Sequence, residues 1–255
     1  MPEEKPFKSG ENETEPVMII RHLSKAFGEN KVLSDFNLEL ERGENIVVLG
    51  KSGVGKSVLI KCIIGLLAPD KGEIEVFGKN IPDLDHEELD QIRAKVGFLF
   101  QSNALYDSMT VRQNLEFPLR RHWIKLSQEE VNRLVMEALE DVRLAYTIDR
   151  MPAELSGGMR KRIALARTLI LKPEIILYDE PTTGLDPITA KEIIELIMEI
   201  QKKYKTSSLI ISHDMTCVRL ASDRVIVLME GRCYAEGDYE SLVRSDDPKV
   251  RQFFE

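Results

Sequence analysis

The glycine-rich segment 50–57 has the residue types and the spacing of a phosphate-binding loop. It reads Gly-Lys-Ser-Gly-Val-Gly-Lys-Ser and matches the pattern G-x-x-x-x-G-K-S/T. Glycines allow the backbone to wrap around phosphate groups, and the amide N–H groups at the start of the next helix then point at them. Lys56 is expected to reach the β- and γ-phosphates, and the Ser57 hydroxyl is expected to hold Mg²⁺. The segment therefore predicts binding of ATP with Mg²⁺, followed by hydrolysis.

The nucleotide contacts predicted from this motif come from the loop and the residue after it. They are Gly50, Lys51, Ser52, Gly53, Val54, Gly55, Lys56, Ser57 and Val58. Lys51 is an additional cation in this set, and we expect its side chain to be solvated rather than catalytic. A glycine-rich turn without function is the competing interpretation. An apolar strand before the loop and a helix after it argue against that interpretation.

Two acidic residues, Asp179 and Glu180, follow the apolar run at 175–178. A carboxylate that leaves a buried strand beside the phosphate loop can bind Mg²⁺ directly or through water, and we assign this role to Asp179. Glu180 is then the candidate general base that polarises the attacking water. A strand that ends in Asp-Glu is common by itself, so the hypothesis depends on the phosphate loop.

The histidine His213 follows another apolar run, at 209–212. An imidazole at the end of this predicted strand would be able to contact the γ-phosphate of a bound nucleotide. A lone histidine more often has a structural role, and its position in the sequence leaves both interpretations open.

The elements that would position these residues alternate between strands and helices. Strands are predicted at 17–20, 32–40, 44–49, 73–77, 96–100, 175–178, 208–212 and 225–229, with a hairpin turn at 230–231. Helices are predicted at 57–66 and 187–204, and the stretch 103–171 is helical in character. Within it, Ser127 is a candidate N-cap with Glu130 as its capping-box partner. This alternation predicts an α/β domain with a mainly parallel sheet and an inserted helical subdomain.

Composition excludes several classes of protein. The chain has 255 residues, 43% of them hydrophobic, and a net charge of -8, which argues against a general nucleic-acid binder. The three cysteines are Cys62, Cys217 and Cys233, and their spacing indicates neither a zinc site nor a disulfide framework. We expect Cys62 and Cys217 to be buried thiols. The N-terminus does not resemble a signal peptide, and no apolar stretch is long enough to span a membrane.

The segment Leu155-Ser156-Gly157-Gly158-Met159 resembles the signature motif of the ABC transporter ATPases. It offers a serine and two glycines before a predicted helix and so provides a second set of backbone donors for phosphate. The resemblance implies the P-loop NTPase fold of that family, with an N-terminal antiparallel β subdomain. It also implies that two subunits pair head-to-tail. Each ATP would then lie between one chain's loop 50–57 and Ser156, Gly157 and Gly158 of the other.

Other residues match the family's motifs in the same order along the chain. Phe27 corresponds to the aromatic that stacks on adenine, with a core aromatic as the alternative. Gln101 corresponds to the Q-loop residue that touches Mg²⁺ or water and reports to the membrane subunit. The remaining matches are the Walker B acid Asp179, the catalytic glutamate Glu180, Asp186 of the D-loop and the switch histidine His213. The implied catalytic residues are thus Lys56, Gln101, Glu180 and His213, and the implied Mg²⁺ ligands are Ser57, Gln101 and Asp179.

The resemblance runs from about residue 17 to 240 and implies a single ABC ATPase domain, with its helical subdomain at about 103–171. Residues 1–16 contain five Glu and two Lys and are predicted to form a disordered acidic tail, with an ordered partner-binding arm as the alternative. Residues 241–255 are predicted to be a short C-terminal tail.

One departure from the common signature concerns the branch of the family. Met159 stands where glutamine is usual, and basic residues follow it, which resembles the lipid-transport branch that serves Mla- or Mce-type systems. The segments 100–119 and 247–254 also resemble this branch. The resemblance implies phospholipid transport between bacterial membranes, with the chain on the cytoplasmic face of the inner membrane. Its implied partners are an integral membrane permease and a lipid-binding periplasmic component.

Two alternatives remain, the first within transporters and the second from another class. One is the ATPase of a small-solute importer, for example for amino acids. The other is a non-transporter ABC protein that acts on ribosomes or DNA. Such proteins generally carry two ATPase cassettes or a long coiled-coil insertion, and this sequence has one cassette, no such insertion and an acidic composition.

An apolar cluster after Gln101 has two competing interpretations. Its members are Leu105, Tyr106, Met109, Val111 and Phe117. In the family, this region forms the groove that receives a coupling helix of the membrane subunit. Ordinary core of the helical subdomain is the alternative.

Overall fold

The computed structural model describes residues 16–121 and 126–254. The predicted acidic tail therefore lies outside the described residues, except for Pro16, which already belongs to the first strand. The strands are β1 (Pro16–Phe27), β2 (Asn30–Glu41), β3 (Asn45–Leu49), β4 (Lys71–Val76), β5 (Lys79–Asn80), β6 (Val96–Leu99), β7 (Ile175–Asp179), β8 (Ser207–Ser212), β9 (Arg224–Met229) and β10 (Arg232–Gly237). The helices are α1 (Lys56–Ile63), α2 (His86–Lys95), α3 (Val111–Arg121), α4 (Gln128–Asp141), α5 (Gly157–Leu169), α6 (Pro187–Tyr204), α7 (Met215–Ala221), α8 (Tyr239–Val243) and α9 (Pro248–Arg251).

A six-stranded sheet in the order β10-β9-β3-β8-β7-β6 forms the centre of the protein. Neighbouring strands from β9 to β6 are parallel, and only β10 pairs antiparallel, through the hairpin predicted at 230–231. Every residue of β3, β7 and β8 is buried, as continuous apolar runs in parallel strands predict. The predicted mainly parallel sheet is confirmed.

A second sheet, in the order β2-β1-β4-β5, is antiparallel. Buried and exposed side chains alternate along β2, where Phe36, Leu38 and Leu40 face the core. This alternation is typical of a sheet with one face covered. The N-terminal antiparallel part of the fold is therefore confirmed, although β1 and β2 are longer than the segments predicted at 17–20 and 32–40.

The central sheet separates two apolar cores. Alternate residues of β3 point to opposite faces, so Val47 and Leu49 join one core while Ile46 and Val48 join the other. The first core is completed by helices α3 to α7, and the second by α1 and the antiparallel sheet. Cys62 and Cys217 are buried free thiols, as predicted.

The stretch predicted to be helical contains α3, α4 and α5. The side chain of Ser127 accepts a hydrogen bond from the Glu130 amide and the Glu130 side chain accepts one from the Ser127 amide, which confirms the predicted capping box. Helix α5 packs against α3 and α4 but also against β6 and α6. It thus connects this helical part to the central sheet, and the boundary of a helical subdomain at 103–171 stays a prediction.

Several predicted bounds differ from the structure. Helix α1 ends at Ile63 rather than at residue 66, because Gly65 takes a left-handed conformation with φ 67°. The C-terminal segment forms α8 and α9, and Val250 is buried in the first core with Phe253 and Phe254 packed against it. The last residues described are thus part of the packed structure.

Candidate nucleotide site

A cavity of about 530 Å³ lies at the carboxyl ends of the parallel strands. The loop 50–55 follows β3, Gln101 follows β6, Glu180 follows β7 and His213 follows β8. These four strands are neighbours in the sheet, in the order β3-β8-β7-β6, so their carboxyl ends meet at one edge. The lining residues are Phe27, Val32, Ser52, Gly53, Gly55, Lys56, Ser57, Val58, Gln101, Glu180 and His213.

The phosphate loop has a backbone that requires glycine at Gly55. This residue has φ 112°, and a Cβ atom on it would lie 2.8 Å from the carbonyl oxygen of Val32. The residue also sits at the N-terminal end of α1, so the first amides of that helix face the cavity. Gly50, Lys51 and Val54 belong to the loop without lining the cavity, and the Lys51 side chain is exposed.

The Lys56 ammonium group is buried at the base of the cavity. Its Nζ donates to the carbonyl oxygens of Gly50 at 2.6 Å and Lys51 at 3.2 Å. It also lies 3.6 Å from Oε1 of Glu180, and both side chains are almost completely buried. A buried cation at this position can offset the negative charge of phosphate groups bound at the N-terminus of α1.

Ser57 and Asp179 lie side by side below the loop. The Ser57 hydroxyl donates to Oδ1 of Asp179 at 3.2 Å. Burial is the main cause that raises the pKa of the Asp179 carboxyl above its ordinary value, with the neighbouring Glu180 charge acting in the same direction. Ser57 and Gln101 line the cavity, and Asp179 is hydrogen-bonded to Ser57. Their hydroxyl, amide and carboxylate oxygens are hard ligands of the kind that Mg²⁺ prefers. These residues therefore fit an Mg²⁺ ion that also binds phosphate oxygens and water.

Glu180 and His213 form a direct pair. Oε2 of Glu180 lies 2.7 Å from Nδ1 of His213, and the imidazole is largely exposed to the cavity while the carboxylate is buried. Glu180 has a left-handed backbone with φ 51°, and its amide donates to the Ile211 carbonyl at 2.9 Å. The neighbouring strand β8 thus helps to fix the direction of the carboxylate. The structure brings His213 to the site, in agreement with the functional interpretation of this histidine.

Two contacts in the site were not predicted. Oε2 of Glu180 also accepts a hydrogen bond from the Thr183 hydroxyl at 3.4 Å. Val32 of β2 lines the cavity opposite the phosphate loop. Neither residue belongs to a pattern that the sequence displays, because Thr183 lies in a turn and Val32 comes from the other sheet.

Phe27 lies at the cavity with half of its surface exposed, at 50%. Its interpretation as a core aromatic is therefore wrong. The Lys25 ammonium lies 5.6 Å from the centre of its ring, and this cation is in turn held by Asp70. An exposed ring face next to the phosphate loop is suited to stack on a nucleotide base.

The predicted signature residues lie outside this cavity. Ser156 is the N-cap of α5, and its Oγ accepts a hydrogen bond from the Met159 amide at 3.2 Å. Gly158 packs closely on α6, because a Cβ atom on it would lie 2.6 Å from Cγ2 of Thr189. Asp186 is the N-cap of α6 and accepts from the amides of Ile188 and Thr189. The hydroxyl of Thr189 is the main cause that lowers the pKa of Asp186.

Within one chain, the phosphate loop, Gln101, Glu180 and His213 thus meet at the cavity, and Asp179 joins them through Ser57. Ser156, Gly157, Gly158 and Asp186 do not line it. Two helix N-termini with exposed caps, those of α5 and α6, remain on the surface. Their contribution to the ATP site of a second copy stays a prediction.

The apolar cluster after Gln101 is partly core and partly surface. Val111 is completely buried, whereas Tyr106 keeps 42% of its surface exposed. The rings of Tyr106 and Phe117 pack at a centroid distance of 4.8 Å. The core interpretation therefore holds for Val111, whereas the groove for a coupling helix stays a prediction for the exposed part of the cluster.

Comparisons with known proteins agree with this geometry. The profile of the family described as ABC transporter matches residues 33–183. A protein of Mycobacterium leprae, named "Probable ribonucleotide transport ATP-binding protein mkl", is 42% identical over 234 residues, which are 92% of this chain and 67% of that protein. The chain thus spans about two thirds of the length of the mycobacterial relatives. MlaF of Escherichia coli, an "Intermembrane phospholipid transport system ATP-binding protein", is 37% identical over 236 residues, which are 92% of this chain and 87% of MlaF.

A solved structure has the same fold. The ATP-binding cassette MJ0796, in a dimeric post-hydrolysis state bound to ADP and Pi, superposes with a TM-score of 0.79 and 32% sequence identity, over 87% of this chain and 98% of that one. The ordered motifs, the site geometry and these matches agree with one another. The chain belongs to the ABC transporter family and is an ATPase of that family.

Proposed function

We propose that this chain is the ATP-hydrolysing subunit of a bacterial transporter that moves phospholipids between the inner and outer membranes. The observation that carries the proposal is the similarity to MlaF, which extends over 87% of that protein's length. Met159, which stands where the signature usually has glutamine, and the basic residues after it support the same branch. No helix in the described part of the chain is long and apolar enough to cross a membrane. The proposal also includes a position at the cytoplasmic face of the inner membrane, bound to a permease.

In the proposed reaction, the first amides of α1 and Lys56 bind the phosphates, and Phe27 stacks on the adenine. Ser57, Asp179 and Gln101 would hold Mg²⁺, which neutralises phosphate charge when bound. Glu180 orients the attacking water and accepts its proton. His213 lies 2.7 Å from Glu180 and keeps its carboxylate directed at the cavity.

The second copy of the chain completes each site in this proposal. Ser156, Gly157 and Gly158 would place the N-terminus of α5 against the γ-phosphate held by the partner, because amides at a helix N-terminus favour negative charge. Asp186 would lie at the same interface. The dimeric state of MJ0796 with ADP and Pi supports this arrangement.

The exposed side of the Tyr106–Phe117 pair is the proposed contact for a helix of the permease. A tilted aromatic pair with an exposed ring, in the segment that follows Gln101 along the chain, would transmit closure of the ATP site to that helix. A lipid-binding periplasmic component is the further partner that phospholipid transport requires.

Ribonucleotide transport is a second candidate function. It is favoured by one observation, the printed name of the mycobacterial relatives at 42% identity. The sequence also left a small-solute importer open as an alternative, and the experiment below tests both candidates.

The test uses the complete complex of this chain with its co-expressed membrane partners, reconstituted in liposomes. We expect ATP-dependent transfer of a labelled phospholipid to acceptor vesicles, and no transfer by the matched complex that carries Glu180→Gln. Uptake of a labelled ribonucleotide or amino acid would be measured in the same vesicles. ATP-dependent uptake of either solute without phospholipid transfer would contradict the proposed function.

A further inference from the structure

Helix α5 holds the backbone of the segment that carries Gln101. Nζ of Lys161 donates to the carbonyl oxygen of Gln101 at 2.9 Å. One turn and a half further along the helix, Arg167 donates to the carbonyl oxygens of Ala104 at 2.7 Å and Asn103 at 3.3 Å. Three carbonyl groups of one short segment are thus bound by cations from a single helix.

The held segment lacks a regular hydrogen-bonded ladder of its own. Asn103 and Ala104 both have left-handed backbones, with φ 66° and φ 51°. For alanine this conformation is strained, so the surrounding contacts must fix it. The side chain of Gln101 lines the nucleotide cavity from this segment. Contacts that fix the segment therefore also fix where the Gln101 amide lies.

Lys161 is an unusual residue to bury. It is 2% exposed, and burial lowers the pKa of its ammonium to about 8. An ammonium has three N–H donors, and within residues 16–121 and 126–254 the Gln101 carbonyl is the acceptor that Lys161 binds. The Asp179 carboxylate attracts this cation, but burial is the larger influence on its pKa. Burying a cation whose hydrogen bond goes to a neutral carbonyl is costly, so an apolar side chain of similar length can be at least as stable in such a place.

We propose that Lys161 is a positioning residue for ATP hydrolysis, which holds the Gln101 backbone so that the Gln101 side chain stays in the cavity. Because Ser156 is the N-cap of α5, the same contact links the exposed signature end of the helix to the site of hydrolysis in its own chain. The inference rests on the proposed roles of Gln101 and of the signature. It gives a functional reason for a buried cation at this position.

The test compares Lys161→Met, Lys161→Arg and the matched control Lys202→Met in the full-length protein. Lys202 is an exposed lysine in the last turn of α6, away from the nucleotide cavity. For Lys161→Met we expect kcat for ATP hydrolysis to fall by about tenfold or more, because small displacements of a positioning group have effects of this size. The KM for ATP should stay within about twofold, since the phosphate loop is unchanged, and the Tm should be equal or higher.

Lys161→Arg keeps a donor that can reach the Gln101 carbonyl, so it should recover at least about a third of the wild-type kcat, and Lys202→Met should match the wild type. A Lys161→Met variant with wild-type kcat would overturn the inference. Unfolding of Lys161→Met, or a fall of several degrees in its Tm, would also overturn the inference, because Lys161 would then act by stabilising the fold. If the wild-type protein itself did not hydrolyse ATP, the proposed function would be contradicted. Failure of the Lys161 inference is thereby distinguished from failure of the proposed function.

Discussion

Replacing Glu180 with Gln should lower the rate of ATP hydrolysis by a factor of about 100 or more, because general-base catalysis contributes about 10²–10⁴. Glutamine has the same size as glutamate and can still bind His213, which lies 2.7 Å from the carboxylate. It cannot accept a proton from water. The variant should therefore bind MgATP with nearly unchanged affinity and accumulate as a dimer with ATP bound. Phosphate release and ATP binding are measured on the same preparation.

The matched control is Glu199→Gln. Glu199 is exposed and pairs with Arg143 at 2.7 Å on the surface, so this change removes a carboxylate without touching the cavity. Its rate should equal that of the wild type, since surface ion pairs contribute little. Normal turnover by Glu180→Gln would remove Glu180 from the catalytic role.

The second large effect is expected for Lys56→Met. Lys56 is 6% exposed and supplies the cation of the phosphate loop. A hydrogen bond to a charged group contributes about 1.5–3 kcal/mol, so the Kd for ATP should rise about tenfold or more. Hydrolysis should fall further, because the charge that develops on the phosphates in the transition state loses its partner. Binding is measured by calorimetry and turnover by phosphate release.

Lys71→Met provides the control for Lys56→Met. Lys71 is an exposed residue of β4 on the antiparallel sheet and does not line the cavity. It should bind and hydrolyse ATP like the wild type. Equal ATP affinities of Lys56→Met and the wild type would show that the loop 50–57 does not bind the phosphates through this lysine.

Much of the site could be predicted because its residues follow strands. The apolar runs before Asp179 and before His213 predict parallel strands. The carboxyl ends of such strands meet at one edge of the sheet. Helix α6 was predicted with its observed bounds from the helical spacing of its apolar residues. The structure adds that Asp186 caps it and that Pro187 is its first residue. The phosphate loop, Asp179 and Glu180 were therefore identifiable from local patterns, whereas Phe27 and Gln101 were assigned only through the family resemblance.

Other features depend on contacts between distant segments and were missed for that reason. The register of β1 shifts between Ile20 and Leu23, so its alternation is interrupted and only its first part was predicted. Lys161 was seen only as one of the basic residues after the signature, because nothing in the sequence shows that it reaches Gln101. The contact of Thr183 with Glu180 likewise depends on the left-handed backbone at Glu180.

In the proposed site, two copies of the chain share each ATP. Sedimentation with MgATP tests this sharing by comparing the oligomeric state of Glu180→Gln with that of the double variant Ser156→Asp/Glu180→Gln. Aspartate is also a good N-cap, so α5 should begin as before, but its charge would face the partner's γ-phosphate. We predict that Glu180→Gln dimerises with ATP, whereas the double variant binds ATP with the same affinity and stays monomeric. A double variant that dimerises normally, or that loses ATP binding as a monomer, would contradict a site completed by the second copy.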